Sequence, residues 1–359
     1  MIFKYKFEKI MKFLKILMFF TIFFNTFLIL KLQASSFKIK EIEVSEDFNL
    51  NFNKKKVFDK AFESAFFQLI STVILSKDID KVEKASLPTI KSLIDSFDVR
   101  DEKFIENKYY AKFNVNFNKK SAYNYFESKN IFPSIPKKIN LLFLPILINV
   151  EKNKISYFNE NPVYNTWQKN KKNFYLLNYI LPSEDIEDIK IFNSNIDTID
   201  QYNFEKIVNK YDLENYIILI IYKNKNNINI LTKLQLHNKL KILNYNYENL
   251  DLNNDQSVDM LISDLKKNYE DEWKKLNLIN TSIKLPLTVS LKSKDHSKIK
   301  LFESILKDFD LVSDFVITSF NNQLIYYKIV YNGSPDKFFN EINSFGLNIE
   351  RKDNTWMIQ

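Results

Sequence analysis

The sequence predicts an α+β protein of three small α/β modules in tandem, the last of them ferredoxin-like. Some segments alternate apolar and polar residues, which is typical of half-buried strands. Between them lie segments with apolar residues at three- and four-residue spacing, which is typical of amphipathic helices. Pro133, Pro136 and an Asn-containing stretch at 277–284 interrupt these patterns. We therefore expect a targeting segment followed by three modules, at residues 1–34, 35–132, 139–276 and 284–359.

The first module begins with a strand over "FKIKEIEV", residues 37–44, and a long helix over "KKKVFDKAFESAFFQLISTVIL". Ser86 and Pro88 are typical of a helix start, and the apolar spacing predicts that this second helix extends to include Ile94 and Phe97. "YYAKFNVNF" then alternates as a strand does, and a short helix around residues 122–126 ends the module.

The order of "IKEIEV", "DKAFESAFFQLI", "YYAKFNVNF" and "INLLFLPILI" resembles an exported bacterial family, the domain-of-unknown-function family numbered two-zero-six-six. The resemblance covers about residues 37–150. More distantly, this stretch is similar to the amino-terminal domain of flagellar assembly protein T. The resemblance implies an exported protein and no catalytic residue.

The middle module is predicted to be an α/β sandwich of two or three layers. "INLLFLPILINV" is apolar on both faces, as a strand covered on both sides is, and Pro145 favours a place near an edge or bulge. Asn161 and Pro162 are typical of a helix start. We further expect a helix through Phe204 and Tyr211, strands over "NYIILIIYK", 228–236 and 240–247, and a helix over 255–276 begun by Asp255.

The third module has the strand and helix order β-α-β-β-α-β of a ferredoxin-like fold. Its strands are "LPLTVSLK", "SDFVITSF", "LIYYKIVY" and a single last strand ending at Trp356, and its helices cover about 298–309 and 335–345. Gly346 follows the second helix, where a left-handed cap needs it, and Gly333 precedes Ser334, which can cap that helix.

The amino terminus has the pattern of an export signal. Five lysines up to Lys15 precede an apolar run over residues 16–30, and Ala34 offers a cleavage site. The alternative is an uncleaved inner-membrane anchor through residues 13–32. Both place residues 35–359 outside the cytoplasm, in the periplasm if the signal is cleaved, because positive residues stay inside.

The net charge of +8 comes mostly from this segment. Residues 1–34 hold six Lys and one Glu, so residues 35–359 carry 46 basic and 43 acidic groups, mixed along the chain. No basic block that could neutralise phosphates is present, which excludes nucleic acid as the expected partner. The absence of Cys excludes disulfides, thiolate nucleophiles and Cys-ligated zinc.

No motif points to catalysis, a cofactor or a metal. The two glycines cannot form a phosphate-binding loop, and the two histidines, His237 and His296, are predicted to be solvated surface residues in different modules. "DLNNDQSVDMLI" places Asp251, Asn253 and Asp255 like the first ligands of an EF-hand but lacks its Gly and final Glu. The acidic clusters "SEDIED" and "EDEW" are expected to be solvated faces. The sequence therefore assigns no catalytic, cofactor-binding or metal residue.

Three functional hypotheses remain. The first is a non-enzymatic exported envelope protein that binds, or helps assemble, another envelope protein or complex. The second is a carboxylate-based hydrolase of an envelope polymer, which would need two converging carboxylates in a deep cleft. The third, solute binding for a transporter, would need one cavity between two similar lobes.

Overall fold

The computed structural model describes residues 37–169, 176–352 and 355–359, and it has the α+β class expected from the sequence, with three sheets. In the first module an antiparallel sheet of order β1-β3-β2 packs against helices. Its elements are β1 (Lys38–Asp47), α1 (Lys54–Val73), a 3-10 helix (Ser76–Lys81), α2 (Leu87–Leu93), β2 (Ile94–Ile105), β3 (Lys108–Phe117) and α3 (Lys119–Ser128).

The apolar face predicted for α1 is buried against the sheet. Asn53 caps the helix, since its side-chain oxygen accepts a hydrogen bond from the backbone N–H of Lys55. Ala61, Ala65 and Leu69 are fully buried in one cluster with the alternating residues of β3. Burial of this face is the main favourable contribution to the stability of the module.

One prediction in this module is wrong. The second helix ends at Leu93, and Ile94 and Phe97 belong to β2, which pairs with β3 over most of its length. Strand pairing and a tight turn at Glu106 and Asn107, both with positive φ, outweigh the helical spacing of the apolar residues.

The middle module is a six-stranded sheet with helices on both faces, so it has three layers. Its strands have the order β5-β4-β7-β8-β9, and β6 also pairs with β4. The elements are β4 (Ile139–Asn149), β5 (Lys154–Ser156), a 3-10 helix (Phe158–Glu160), α4 (Pro162–Trp167), β6 (Leu177–Ile180), α5 (Ile186–Ser194), a 3-10 helix (Ile196–Thr198), α6 (Glu205–Val208), a 3-10 helix (Asn209–Tyr211), β7 (Tyr216–Asn224), β8 (Asn227–Leu236), β9 (Lys239–Tyr247) and α7 (Asp255–Leu276).

β4 is central, and its alternate residues enter two different cores, one under α4 and α7 and the other under α5 and α6. Pro145 lies between the stretches that pair with β6 and with β5, and its carbonyl accepts a hydrogen bond from Asn161 Nδ2 at 3.1 Å. The proline is thus tolerated in a gap in the pairing. α7 is capped by Asn254, not by Asp255 as predicted, because the side chain of Asn254 accepts from Ser257 N–H.

The third module has a five-stranded sheet of order β11-β12-β10-β14-β13 covered on one face by two helices. Its elements are β10 (Leu285–Lys292), α8 (His296–Asp308), β11 (Val312–Phe320), β12 (Leu324–Tyr331), α9 (Pro335–Ser344), β13 (Ile349–Lys352) and β14 (Thr355–Ile358). The prediction of a single last strand is wrong, since β13 and β14 form a hairpin and β14 inserts beside β10, parallel to it.

Both glycines have the predicted positions. Gly346 has a φ of 78° after α9, and Ser334 caps that helix through Lys337 N–H. A Cβ on Gly333 would come within 2.7 Å of the Tyr331 ring, so the close approach of this ring also requires glycine.

The two linkers that lead into and out of the middle module lie side by side. Ile135 N–H donates to Asn277 O at 2.9 Å, and Ile279 N–H donates to Pro133 O at 2.8 Å. The middle module is therefore inserted between the first and third modules, whose buried apolar residues form one continuous cluster.

Candidate functional site

The open face of the third sheet is the candidate site. Along β10, Leu287, Val289 and Leu291 point into the core with the helices, so the residues between them point to the opposite face. The same alternation on β12 directs Tyr326 outward. None of the helices in the described residues of this module covers that face.

A cleft of about 480 Å³ lies on this face, at the end of β10 and beside the β11–β12 turn. Asn321 holds the turn, because its Oδ1 accepts from the N–H groups of Gln323 and Leu324 at 2.8 Å each. Ser293 N–H donates to Gln323 O at 2.9 Å, which ties the turn to the end of β10. The side chains that line the cleft include Ser290, Lys292, Lys294, Asn322, Tyr326 and Met357.

The cleft is positively charged. Lys292 and Lys294 are exposed, and neither forms an ion pair with a carboxylate of the described residues. No Asp or Glu is among the described residues that line it. Two lysines, an aromatic ring and a flexible Met side chain can bind an anionic group beside an apolar one.

These residues were not predicted from the sequence, because the strands were interpreted only as core. The signal was present, since the alternation in "LPLTVSLK" and "LIYYKIVY" places a lysine and a tyrosine opposite the buried positions. The approach of Lys294 and Asn322 depends on two turns that strand patterns do not specify.

The predicted solvated acidic clusters are partly buried, so that prediction is wrong. Asp188 of "SEDIED" is 1% exposed, and Lys210 Nζ donates to its Oδ1 at 2.7 Å and to Asp185 Oδ2 at 2.6 Å. These two carboxylates raise the pKa of Lys210 well above its usual range. The lysine makes burial of the acid tolerable because it supplies both charge and hydrogen bonds.

In "EDEW" each acid has a separate contact. Glu270 is 3% exposed and accepts from Leu177 N–H at 2.9 Å, and burial raises its pKa to about 7. Asp271 accepts from Ser76 N–H of the first module at 2.9 Å. Glu272 pairs with Lys275 at 2.7 Å and also with Lys241. These contacts are structural, and they do not bring two of the three carboxylates together as a general acid and a general base.

A buried lysine lies one turn before Glu270. Lys266 donates from Nζ to Trp167 O at 2.9 Å, and its ammonium is 5.1 Å from the centre of a Trp167 ring. Burial lowers the pKa of Lys266 to about 8. The contact fixes α4 against α7 through a cation–π interaction and a hydrogen bond.

The residues weighed for metal binding do not come together. His237 is exposed after β8 with its ring 4.9 Å from that of Trp273, and His296 is exposed at the start of α8 in another module. Asp251 Oδ1 accepts from the N–H and amide groups of Asn253. No group of three His, Cys, Asp or Glu suited to a metal ion occurs in the parts of the chain that the structure describes.

A scan against protein-family models finds no match, and a search of curated proteins finds no significant relative. The resemblance to the two-zero-six-six family therefore stays a prediction. Among residues 37–169, 176–352 and 355–359, no helix is long and apolar enough to cross a membrane. The predicted signal or anchor, residues 1–34, lies outside the described residues.

Proposed function

We propose that this protein is an exported, non-enzymatic envelope protein that binds an acidic, extended segment of another envelope protein on the open face of its third sheet. The observation that carries the proposal is the cleft of about 480 Å³ lined by Lys292 and Lys294 without a carboxylate among its described lining residues. Charge complementarity makes an acidic segment the fitting occupant.

Each side chain of the cleft is proposed to contact a different part of the bound segment. Lys292 and Lys294 pair with carboxylates of the segment, and Asn322 offers an amide to its backbone. Tyr326 supplies an apolar surface with a polar tip. Because the lysines are exposed, the attraction is weakened by salt at concentrations on the order of 0.15 M and the complex is transient.

The test is a matched pair of charge reversals in residues 35–359. Lys292→Glu with Lys294→Glu changes the cleft, and Lys300→Glu with Lys337→Glu makes the same charge change on the helices of the same module. We expect the cleft variant to bind a fluorescein-labelled oligoglutamate peptide about tenfold more weakly, and the helix variant to bind it as the parent does. Equal weakening by both variants would show a general charge effect and would refute the site.

The same variants test the partner in envelope extracts. Proteins captured by the parent and by the helix variant, and lost with the cleft variant, are the expected result. A captured set that does not differ among the three chains would contradict the proposal.

The contact mechanism also predicts that histidine chemistry is not used. His237→Ala and His296→Ala should leave peptide binding and partner capture unchanged, because both side chains are exposed and lie outside the cleft. Loss of function in a folded single variant of either histidine would support the enzyme class.

Export is tested separately. Intact-mass measurement of the envelope-fraction protein should give a chain that begins at Ser35. A chain that begins at Met1, or at Met11 if translation starts there, would favour the anchor, and a cytoplasmic product would refute both.

One observation favours the alternative of a carboxylate-based hydrolase. Asp95, Asp308 and Asp314 line a cleft of about 460 Å³ between the first and third modules, and burial raises the pKa of Asp308. Asp314, however, pairs with Lys120 at 2.6 Å, and four lysines line the same cleft. If this were an active site, Asp308→Asn would abolish an activity of the folded protein on envelope polymers. We expect that variant to retain partner binding.

A further inference from the structure

Another cleft, smaller than the two described above, lies where three parts of the chain meet. It has a volume of about 270 Å³ and is lined by residues of α3, of the linker after α7 and of the third sheet. It shares only Lys120, Ser313 and Asp314 with the larger cleft of this junction, and it shares no lining residue with the cleft on the open sheet face.

Two lining residues carry buried polar atoms without a hydrogen-bond partner among the described residues. Thr281 is 2% exposed and Asn332 is 5% exposed, and the atoms are Thr281 Oγ1 and Asn332 Oδ1. A buried polar atom left unpaired costs about 1–3 kcal/mol. Both residues line the same cleft, which makes a molecule bound there the candidate partner for these two atoms.

The hydrogen bonds of Asn332 fix what the missing partner must be. Its Nδ2 donates to Ile283 O at 2.8 Å and to Thr281 O at 3.3 Å, so the amide orientation is set and Oδ1 can only accept. The ligand must therefore donate to Asn332 Oδ1. The hydroxyl of Thr281 can donate or accept, so it suits a ligand group with both abilities.

The charges of the cleft exclude an ion as the preferred ligand. Lys120 pairs with Asp314 at 2.6 Å, and Lys284 pairs with Glu127 at 2.9 Å, so the lining is balanced in charge. A neutral ligand with hydroxyl groups fits such a lining, because a hydroxyl group can donate and accept hydrogen bonds without carrying a charge. A volume of about 270 Å³ lies just below the usual range for ligand pockets and limits the ligand to a small molecule.

We propose that this cleft binds a small neutral polyhydroxyl molecule, of the size of one sugar ring, which donates a hydrogen bond to Asn332 Oδ1 and contacts Thr281 Oγ1. Because α3 belongs to the first module and Asn332 to the third, the bound ligand joins the two modules. This proposal does not depend on the proposed binding of an acidic segment to the open sheet face.

The test uses residues 35–359 and a defined set of probes. Glucose and N-acetylglucosamine are the probes without charged groups, and the zwitterion glycine and inorganic phosphate are the probes that carry them. Ligand-observed NMR and the thermal midpoint of unfolding should show binding of a neutral probe and none of the charged probes. No binding of either sugar below ~10 mM, or tighter binding of phosphate or glycine, would overturn the proposal.

Variants of Thr281 locate the site. Thr281→Val removes the unpaired hydroxyl with little change of shape, and it should weaken sugar binding about fivefold to tenfold while raising the thermal midpoint of the free protein. Thr281→Ser keeps the hydroxyl and should keep binding. Thr288→Val, on the exposed side of β10, is the control and should change neither. Unchanged binding by Thr281→Val would refute the site even if the free protein is stabilised.

Discussion

The first module meets its two neighbours through different chemistry. Against the third module its apolar core is continuous, and Tyr123 OH adds a hydrogen bond to Asp310 O at 2.7 Å. Against the middle module the contact is polar, and Lys274 donates from Nζ to Ser71 O and Ile74 O at the end of α1. Shared apolar burial makes two modules one cooperative unit, whereas a few polar contacts fix the position of a separately folded insertion.

The largest expected effect is from removal of the third module. Deletion of residues 284–359 exposes the apolar side of the first module, and we expect it to lose more than ~3 kcal/mol of unfolding free energy or to fail to fold. The apolar pattern of the sequence alone favours independent folding of residues 37–276, and the shared apolar cluster favours the opposite result, so this deletion decides between them. Hydrogen exchange of β3 in the truncated chain measures the effect.

The matched experiment removes the middle module instead. Replacing residues 139–275 by a short Gly-Ser turn should leave the first and third modules folded, because the two linkers are already hydrogen-bonded side by side. A chain in which this excision is as damaging as the truncation would contradict the difference between the two junctions.

The next largest effect concerns the polar junction. Lys274 is buried, and Lys274→Met removes the donor to two carbonyls at the end of α1, so we expect a loss of about 2–4 kcal/mol. Lys275→Met, at the exposed neighbouring position, should cost less than about 0.5 kcal/mol. Urea unfolding followed by Trp fluorescence compares the two, and equal losses would remove the role of this contact.

A pH effect follows from Glu270. Burial raises its pKa from 4.5 to about 7, so the native state holds this proton more tightly than the unfolded chain does. The contribution to stability is therefore complete below pH 4.5 and is lost as the pH rises to about 7. This pH-dependent part of the unfolding free energy amounts to about 3 kcal/mol at most. Glu270→Gln should remove the pH dependence, because glutamine does not titrate. A variant whose stability follows the parent's pH profile across this window would contradict the assignment.

The smallest effect is at the apolar junction. Tyr123→Phe removes the hydrogen bond to Asp310 O while keeping the ring, which should cost about 1 kcal/mol. Tyr125→Phe, two residues along the same helix, is the control, because no hydrogen bond joins its hydroxyl to any of the described residues. A loss for Tyr123→Phe that matches or exceeds that of Lys274→Met would reverse the comparison.

Local structure could largely be predicted from the sequence. The apolar faces of α1 and α7, the alternation in β3 and the Gly346 cap are all set by residues close in sequence. The error at Ile94 arose because pairing with the next strand, β3, outweighed the helical spacing, and the error at the last strand arose because β14 pairs with β10, which lies far away in the chain. The linkers around Pro133 and Asn277 were interpreted as breaks, because pairing between segments so far apart in the chain leaves no local pattern.

The candidate sites depend even more on tertiary contacts. Lys292 and Tyr326 could be placed on one sheet face from alternation alone. The unpaired atoms of Thr281 and Asn332 could not be predicted to lie close together, because the two residues become neighbours only when the linker packs on the third sheet. The burial of Asp188 and Glu270 likewise depends on partners far along the chain.

Native-state hydrogen exchange of residues 35–359, followed by mass spectrometry, tests the central claim most directly. The claim is that the first and third modules open as one unit and the middle module as another. We predict that β3 and β12 exchange with the same opening free energy and respond equally to denaturant, while β7 has a different value. An opening free energy for β12 that lies near that of β7, or more than ~2 kcal/mol below that of β3, would contradict the account.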